Sequence, residues 1–273
     1  MISTTPAMTN EERAKIIASL MDNFYDNQLI IGNIHAPMDQ LSDIFKIVKD
    51  GYIIGGWTIF HGFKIPSVIF PPNLPEAWPA IQEFVNGLNY EKIQVIYPLE
   101  TTLNHNSKPW DKWLTYSWEE MHRDKAMKYT SEKVEVSEFG HLPKIRVATE
   151  KDISKLTEYY ACIDNFQGFW DQLQLSSDIY VIAETNDGEI VGVGGTHFET
   201  PATIQLGNVH VIGSHRGLGL GRAIMTSLIL GVIATERMPT LFVNENDKVA
   251  KKLYESLGFE YYNTYSFYDG IKN

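Results

Sequence analysis

His210-Val211-Ile212-Gly213-Ser214-His215-Arg216-Gly217-Leu218-Gly219-Leu220-Gly221-Arg222-Ala223 runs from a strand-like segment, through an arginine and alternating glycines, into an apolar helix. Backbone without side chains at the start of a helix can wrap an anion. The first N–H groups of the helix lack intrahelical partners, and the helix dipole adds positive potential at that end. The expected occupant is a ligand carrying a polyphosphate.

Two familiar phosphate loops do not fit. A Walker loop needs Gly-Lys-Ser/Thr, and here Arg222-Ala223 follows Gly221. The dinucleotide pattern G-x-G-x-x-G counted from Gly217 places Arg222 where its third glycine belongs. The strand before the loop also lies in an antiparallel pattern, not in a βαβ unit.

Outward from the loop, the second half alternates strands and helices. Lys144–Ala148 reads as a short strand. Thr149 reads as the N-cap of a helix over 153–163, with Asp152 three residues on. Residues 179–184 and 189–199 read as strands around Asn186-Asp187-Gly188, a strong hairpin signal. Thr203–Val211 is a third strand, and the loop follows it. A helix spans about 220–235, stopped by Pro239. Thr240–Asn244 is a strand. Asp247–Leu257 is a helix with Val249, Leu253 and Leu257 on one stripe and Gly258 as its C′ residue. Residues 259–268 supply the last strand or strands.

Ahead of a boundary near 131–143 the pattern is less regular. Residues 10–23 and 38–50 read as helices. Residues 51–60 and 63–70 read as a hairpin around His61-Gly62. Residues 75–88 read as a helix with Pro75 in its first turn, 92–97 as a strand, and 110–128 as partly helical. The fold class is α/β with a mixed sheet, in domains spanning 1–135 and 143–273.

Composition narrows the setting. The chain has 273 residues, 44% hydrophobic and 21% charged, as a globular protein does. A net charge of −11, spread over both halves, offers no basic patch for nucleic acid. No segment approaches a membrane span or a secretory leader. The single cysteine, Cys162, excludes an internal disulfide and a cysteine-based zinc site, and it reads as buried filler in an apolar helical run. A cytoplasmic protein without metal is expected, and a homodimer is left open.

A third loop pattern, R/Q-x-x-G-x-G/A, is matched by Arg216-Gly217-Leu218-Gly219-Leu220-Gly221. With it stand Ile145-Arg146-Val147-Ala148-Thr149-Glu150-Lys151-Asp152-Ile153, Val209-His210-Val211, and Ala250-Lys251-Lys252-Leu253-Tyr254-Glu255-Ser256-Leu257-Gly258-Phe259. In this order and spacing, residues 143–270 resemble the GNAT superfamily of acyl-CoA-dependent N-acyltransferases.

The resemblance implies a fold, a donor and a set of roles. Backbone amides of Leu218, Gly219, Leu220, Gly221, Arg222 and Ala223 would cradle the coenzyme A pyrophosphate, with Gly217 in the same cofactor-binding loop and Arg216 at its start holding either the loop's shape or the anion. The strand ending at Val211 would carry a bulge near its end and splay from the next strand, so that Val209, His210 and Val211 pair with the pantetheine as a pseudo-strand, and one of their amides would stabilise the oxyanion. Asn244, Asn246 or Asp247 would also meet the pantetheine. Tyr254 would be the general acid for the leaving thiolate. Acetyl-CoA is the implied co-substrate, and a primary amine on a small molecule or peptide is the acceptor. The strand position that holds a glutamate base in some members is Gln205 here, and an amide takes no proton. His210, Glu199, His197 or a water chain are the substitutes considered. Asp164, Phe166 and Trp170 are acceptor-side candidates. A non-catalytic acyl-CoA sensor or interaction module is the alternative to an N-acetyltransferase.

Residues 51–97 repeat the order strand, turn, strand, helix, strand. At the loop's place stand Pro71-Pro72-Asn73-Leu74-Pro75. Three prolines have no N–H to offer an anion. A degenerate GNAT-like repeat that binds no coenzyme A is expected, similar to the first half of glycine N-acyltransferase-like proteins. The alternative is an unrelated α+β accessory domain.

Overall fold

A computed structural model describes residues 1–99, 110, 113, 115–131, 134, 143–163, 170–172, 175 and 179–273. The chain forms two units, residues 1–125 with 263–273, and residues 126–262.

The first unit begins with β1 (Ile2–Pro6), α1 (Asn10–Leu20), α2 (Phe24–Ile34), β2 (Ser42–Lys49), β3 (Tyr52–Phe60) and β4 (Ser67–Ile69). It continues with α3 (Trp78–Asn86), β5 (Lys92–Pro98) and the larger part of β6 (Tyr116–Tyr129). β1, β2, β3 and β4 pair antiparallel in that order, and β4 pairs parallel with β5. The chain's last residues return to this unit and pair antiparallel with β5, from Tyr265 opposite Pro98 to Ile271 opposite Lys92. Thr9 and Glu12 form a capping box that starts α1.

Two readings of this half are corrected, and one helix was missed. Residues 38–50 are not a helix: a 3-10 turn at Met38–Leu41 leads into β2, paired on both sides. Ile44, Ile47 and Val48 are stiff at χ1 and favour a pleated surface, and the Phe45 ring stacks on Trp57 across the β2–β3 pair at 4.3 Å. Residues 116–129 are a strand where partial helix was expected. α2 gave no amphipathic signal because Asn27 to Ile34 are all buried.

In the second unit, β7 (Lys144–Val147) leads into α4 (Ile153–Ala161), then β8 (Tyr180–Glu184), β9 (Ile190–Glu199) and β10 (Thr203–Val211). α5 (Leu220–Ile233), β11 (Met238–Asn244), α6 (Lys248–Ser256) and the first residues of β12 (Phe259–Lys272) follow. β7, β8, β9 and β10 pair antiparallel, and β10 pairs parallel with β11. The two units therefore share an order of elements and of strand directions: four antiparallel strands, then a helix, then a parallel strand.

Alternation along the strands assigns the faces. Val181, Ala183, Ile204, Leu206, Leu241 and Val243 form one core with α5. Tyr180, Ile182 and Val193 form another with Leu156 and Tyr160 of α4. α5 and α4 thus cover opposite faces of this sheet.

Local signals decide the boundaries. Gly188 sits at φ +80 in the β8–β9 turn, and Gly258 at φ +98 just past the end of α6. α5 ends at Ile233, ahead of Pro239, which lies within β11. The stripe expected on α6 is corrected at Val249, which is 82% exposed, whereas Ala250, Leu253, Tyr254 and Leu257 pack against the α5 core. Val249 accompanies the helix start, where Asp247 fixes the first turn, and its side chain clears the core.

One charged contact ties the start of this unit together. Thr149 and Asp152 form the expected capping box, and Asp152 is buried. Arg146 reaches Asp152 at 2.7 Å and Glu184 at 2.8 Å, joining β7, the α4 cap and β8. The Arg146 guanidinium holds the Asp152 carboxyl far below the usual carboxylate range. Removing the cation strands a buried carboxylate. Arg146→Met is expected to cost about 3 kcal/mol of stability, read as a lower urea midpoint, whereas truncating the exposed Lys151 is expected to shift it by less than about 0.5 kcal/mol.

Candidate functional site

The site is built around the outer part of β10. Gly207 lies opposite Gly195, but His210 lies opposite Val193, so one extra residue is inserted in β10. Asn208, at φ +54, takes the left-handed turn of this bulge. The insertion switches parity. Ile204 and Leu206 face α5, and after the bulge Val209 and Val211 face it too. Gln205 and His210 consequently share the other face.

An aromatic set on the α4 side holds the bulge. Tyr160 donates to the Asn208 carbonyl at 3.2 Å, and Asn208 Nδ2 donates to the Tyr180 hydroxyl at 2.9 Å. Trp170 stacks on Tyr160 at 5.3 Å, meets Tyr180 edge-on at 5.1 Å, and donates its indole N–H to Thr157. Trp170 therefore packs beneath the bulge in this structure. The other acceptor-side candidates, Asp164 and Phe166, lie outside the described residues.

β10 and β11 part early. Their parallel register runs only from Thr203 with Met238 to Leu206 with Leu241. The β10 backbone from Gly207 to Val211 has no β11 partner, which leaves an edge of amides and carbonyls open between the two strands.

Beyond Val211 the chain makes a 3-10 turn at Gly213–His215 and enters the glycine loop. Gly217 has φ +77, and Gly219, the N-cap of α5, has φ +94. A Cβ at either would meet nothing within 4 Å, so the glycines serve the backbone conformation and leave open space above it. No side chain caps α5, in contrast to α6, where Asp247 accepts from Val249 and Ala250. The opening amides of α5, including Leu220, Gly221 and Arg222, are left to a ligand or solvent. Leu218 at the loop's crest is half exposed, Ala223 is buried, and Arg222 donates to Ser256 of α6.

Arg216 folds back on the strand. Its Nε donates to the Val211 carbonyl at 2.8 Å, and its terminal nitrogen lies 3.2 Å from His210 Nε2. An arginine has only protons to give, so His210 Nε2 is the acceptor and its Nδ1 carries the hydrogen. Nδ1–H then donates to the Tyr159 hydroxyl at 2.9 Å, and Tyr159 donates to the His210 carbonyl at 3.3 Å. Burial and the Arg216 charge both push the His210 pKa down. Its lone pair is engaged by a cation, which opposes proton uptake.

The remaining candidates fall in three places. Glu199 is held by Arg237 at 2.6 Å, and it lies opposite Ile204. Six residues separate Ile204 from His210, roughly 20 Å along the strand. The structure thus does not bring Glu199 to the glycine loop. His197 is fully enclosed against Gly207, and burial lowers its pKa to about 4. At the β11 end, Asn244 Oδ1 accepts from the Asn246 amide and Asp247 is spent on the α6 cap, while Asn246 is exposed.

Tyr254 points from α6 into the core and meets Phe259 at 6.2 Å. Burial, and secondarily Asp247, raise its pKa to about 12, so the hydroxyl stays protonated at neutral pH. That hydroxyl has no hydrogen-bond partner among the described residues. The Oε1 of Gln205 and the Oγ1 of its neighbour Thr240 are likewise buried without partners.

Asn208, Tyr159, Tyr160 and Tyr180 are site residues the sequence reading missed. Asn208 alone carries a signal, as a residue tolerant of positive φ near the end of a strand. Cys162 is corrected: it is exposed, because it follows the last turn of α4 on that helix's outer side. Among the described residues no group of His, Cys, Asp and Glu could hold a metal, and no helix is long and apolar enough to cross a membrane.

Two outcomes test this description. His197 binds a proton in the unfolded chain near pH 6.5 but in the folded state only near 4. Stability contributed by its neutral burial is present above pH 6.5 and is lost as pH falls towards 4. The loss is about 2–3 kcal/mol at pH 4.5. Urea unfolding of His197→Gln should show a flatter pH dependence over this range than wild type. Gly219→Ala, placed at φ +94, is expected to cost about 1–2 kcal/mol in the same assay.

Residues 151–259 match the family model described as the acetyltransferase (GNAT) family. Among solved structures, a putative GNAT acetyltransferase from Novosphingobium aromaticivorans is similar at TM-score 0.65 and 16% identity, over 91% of this chain and 98% of that one. A Drosophila protein is similar at TM-score 0.70 and 13% identity, over 98% of each chain. A tandem GNAT protein from the clavulanic acid biosynthesis pathway is similar at TM-score 0.66 and 12% identity, again over 98% of each. At these identities the likeness is one of fold. No curated protein matches the sequence.

Proposed function

We propose, from the match of residues 151–259 to the GNAT acetyltransferase family model, that the protein is an N-acetyltransferase that moves acetyl from acetyl-CoA directly to a primary amine. The observation that carries this reading is the combination of a parted β10 edge with an uncapped, glycine-opened helix at its end. A backbone edge suits the amide groups of a pantetheine arm, and the helix start suits a pyrophosphate.

The residues divide the work as follows. Amides from Leu218 to Ala223 hold the pyrophosphate. Arg216 keeps the loop folded on the Val211 carbonyl. Amides of Val209, His210 and Val211 align the arm, and one of them faces the thioester oxygen as charge develops there. Bound acetyl-CoA supplies the activated acetyl group. Tyr254, kept protonated by burial, donates to the departing sulfur. Gln205 Oε1, buried and unpartnered, accepts an N–H of the incoming amine without taking its proton. With the His210 lone pair on Arg216 and Glu199 on Arg237, the amine arrives neutral or passes its proton to water.

The first unit is read as a GNAT-like repeat that has lost its anion site. It repeats the element order of the second. At the loop's place Pro71 and Pro72 are buried, and Trp78 donates to the Pro71 carbonyl at 3.3 Å. Side chains and prolines fill the position where open amides would be needed.

Isothermal titration should show coenzyme A binding that survives Tyr254→Phe. That variant's kcat should drop on the order of 10²-fold, the usual share of a general acid. Gln205→Leu should raise the KM for the amine and leave coenzyme A affinity unchanged. Absence of coenzyme A binding at millimolar concentration overturns the proposal. Binding without turnover across an amine panel at pH 8–9 points instead to an acyl-CoA sensor.

A further inference from the structure

The paired part of β10 and β11 ends beside two orphaned oxygens. The last registered pairs are Gln205 with Thr240 and Leu206 with Leu241, and beyond them the strands part. Leu206 and Leu241 face α5, so by alternation Gln205 and Thr240 face the α4 side together. Thr240 is fully buried, and neither its Oγ1 nor Gln205 Oε1 has a hydrogen-bond partner among the described residues. Buried oxygens without donors are costly, and native structures keep few of them unless a ligand or water completes them.

The first unit shows a completed pair at the matching place. Ser67 of β4 stands opposite Gln94 of β5 in the parallel ladder, on the face away from α3. Ser67 donates to Gln94 Oε1 at 3.1 Å, and Gln94 Nε2 donates to Asp269 at 2.9 Å. Neither residue leaves a buried polar atom unpartnered. In the second unit the pair at this place is unfinished, at the point where the two strands open.

Two acceptors at this spacing suit a donor with two hydrogens. Paired strands run about 4.8 Å apart, so one nitrogen can stand within ordinary hydrogen-bond length of an oxygen on each. On the same side His197 lies against Gly207 and meets Tyr180 edge-on at 6.4 Å, and its burial keeps it neutral.

We propose that Thr240 joins Gln205 in gripping the acceptor nitrogen, one N–H to each oxygen, and that this pair restricts the acceptor to primary amines. The assignment rests on the acyl-transfer reading given above. A neutral primary amine has two hydrogens for the two oxygens and keeps its lone pair for the thioester carbon. A secondary amine or an alcohol has one hydrogen and leaves a buried oxygen unmatched. As the C–N bond forms and the C–S bond breaks, the sulfur takes the electron pair and the Tyr254 proton. The nitrogen sheds one proton to water, and Tyr254 recovers one from solvent. Tyr254 packs on the α5 side and the two oxygens lie on the α4 side, so the departing sulfur and the amine are served from opposite faces of this sheet.

The test compares methylamine with dimethylamine, which differ little in basicity and carry no other recognition groups. Coenzyme A release is followed on the full chain at saturating acetyl-CoA and about pH 9, for wild type, Thr240→Val and Thr240→Ser. Wild type is expected to prefer methylamine by about 30-fold in kcat/KM. Thr240→Val keeps the shape and removes the hydroxyl. It should lower the methylamine value about tenfold and leave the dimethylamine value within about twofold, and Thr240→Ser should restore the preference. Isothermal titration should give one acetyl-CoA affinity for all three proteins. Equal loss on both amines in Thr240→Val, or loss on neither, overturns the assignment. So does a wild type that binds acetyl-CoA and transfers to neither amine. A wild type that binds no acetyl-CoA overturns the acyl-transfer reading itself.

Discussion

The second unit depends on one inserted residue. Strand side chains alternate with a period of two, so Ile204 and Leu206 cannot share a face with Val209 and Val211 in a regular strand. Asn208 resolves this by taking an extra step at positive φ. The polar groups that step would otherwise strand are met by Tyr160 and Tyr180. With parity switched, the apolar residues on both sides of the bulge stay on α5, and His210 turns towards α4. The same region is where β10 has left β11. The open edge, the orientation of His210 and the approach to the glycine loop all follow from that step.

The most legible features were those whose physical cause is local. The glycine loop, the Thr149–Asp152 capping box and the Gly188 turn each need only neighbouring residues, and each stands where the sequence placed it. The misread segments are those decided by tertiary context. Residues 42–49 carry an apolar pattern compatible with a helix, and their pairing with strands on both sides settles them as β2. α2 is buried along most of its length and so has no polar face to announce it. Cys162 was assigned inward by its apolar neighbours and Val249 by periodicity, but each lies at an end of its helix, where the side chain clears the core. The bulge near the end of β10 was implied by the family resemblance alone, since the tyrosines that hold it come from α4 and β8, far away in sequence. Glu199 shows the opposite difficulty. It is near His210 in the sequence, yet a hairpin carries the two to opposite ends.

His210 illustrates how position and chemistry can conflict. It stands beside the open β10 edge, where a base would be useful. Its geometry serves another purpose. A neutral imidazole that accepts at Nε2 and donates at Nδ1 can link a tyrosine to a guanidinium, and each link fixes the next. Proton uptake would replace the Arg216 contact by repulsion between two cations. The ring is therefore more useful neutral, as an orienting group for Arg216, and Arg216 in turn holds the loop against the Val211 carbonyl.

The two units make the final step of the argument. They share the order of four antiparallel strands, a helix and a parallel strand, so topology alone does not decide what the loop between them can do. The difference lies in a few backbone groups between the fourth strand and the following helix. In the second unit Gly217 and Gly219 take positive φ under open space, and the helix amides remain uncapped. In the first, Pro71, Pro72 and Pro75 have no N–H to donate, Pro71 and Pro72 are buried, and the Trp78 indole N–H takes the Pro71 carbonyl. The order of elements is repeated, while the backbone between the fourth strand and the following helix differs in the groups it leaves open.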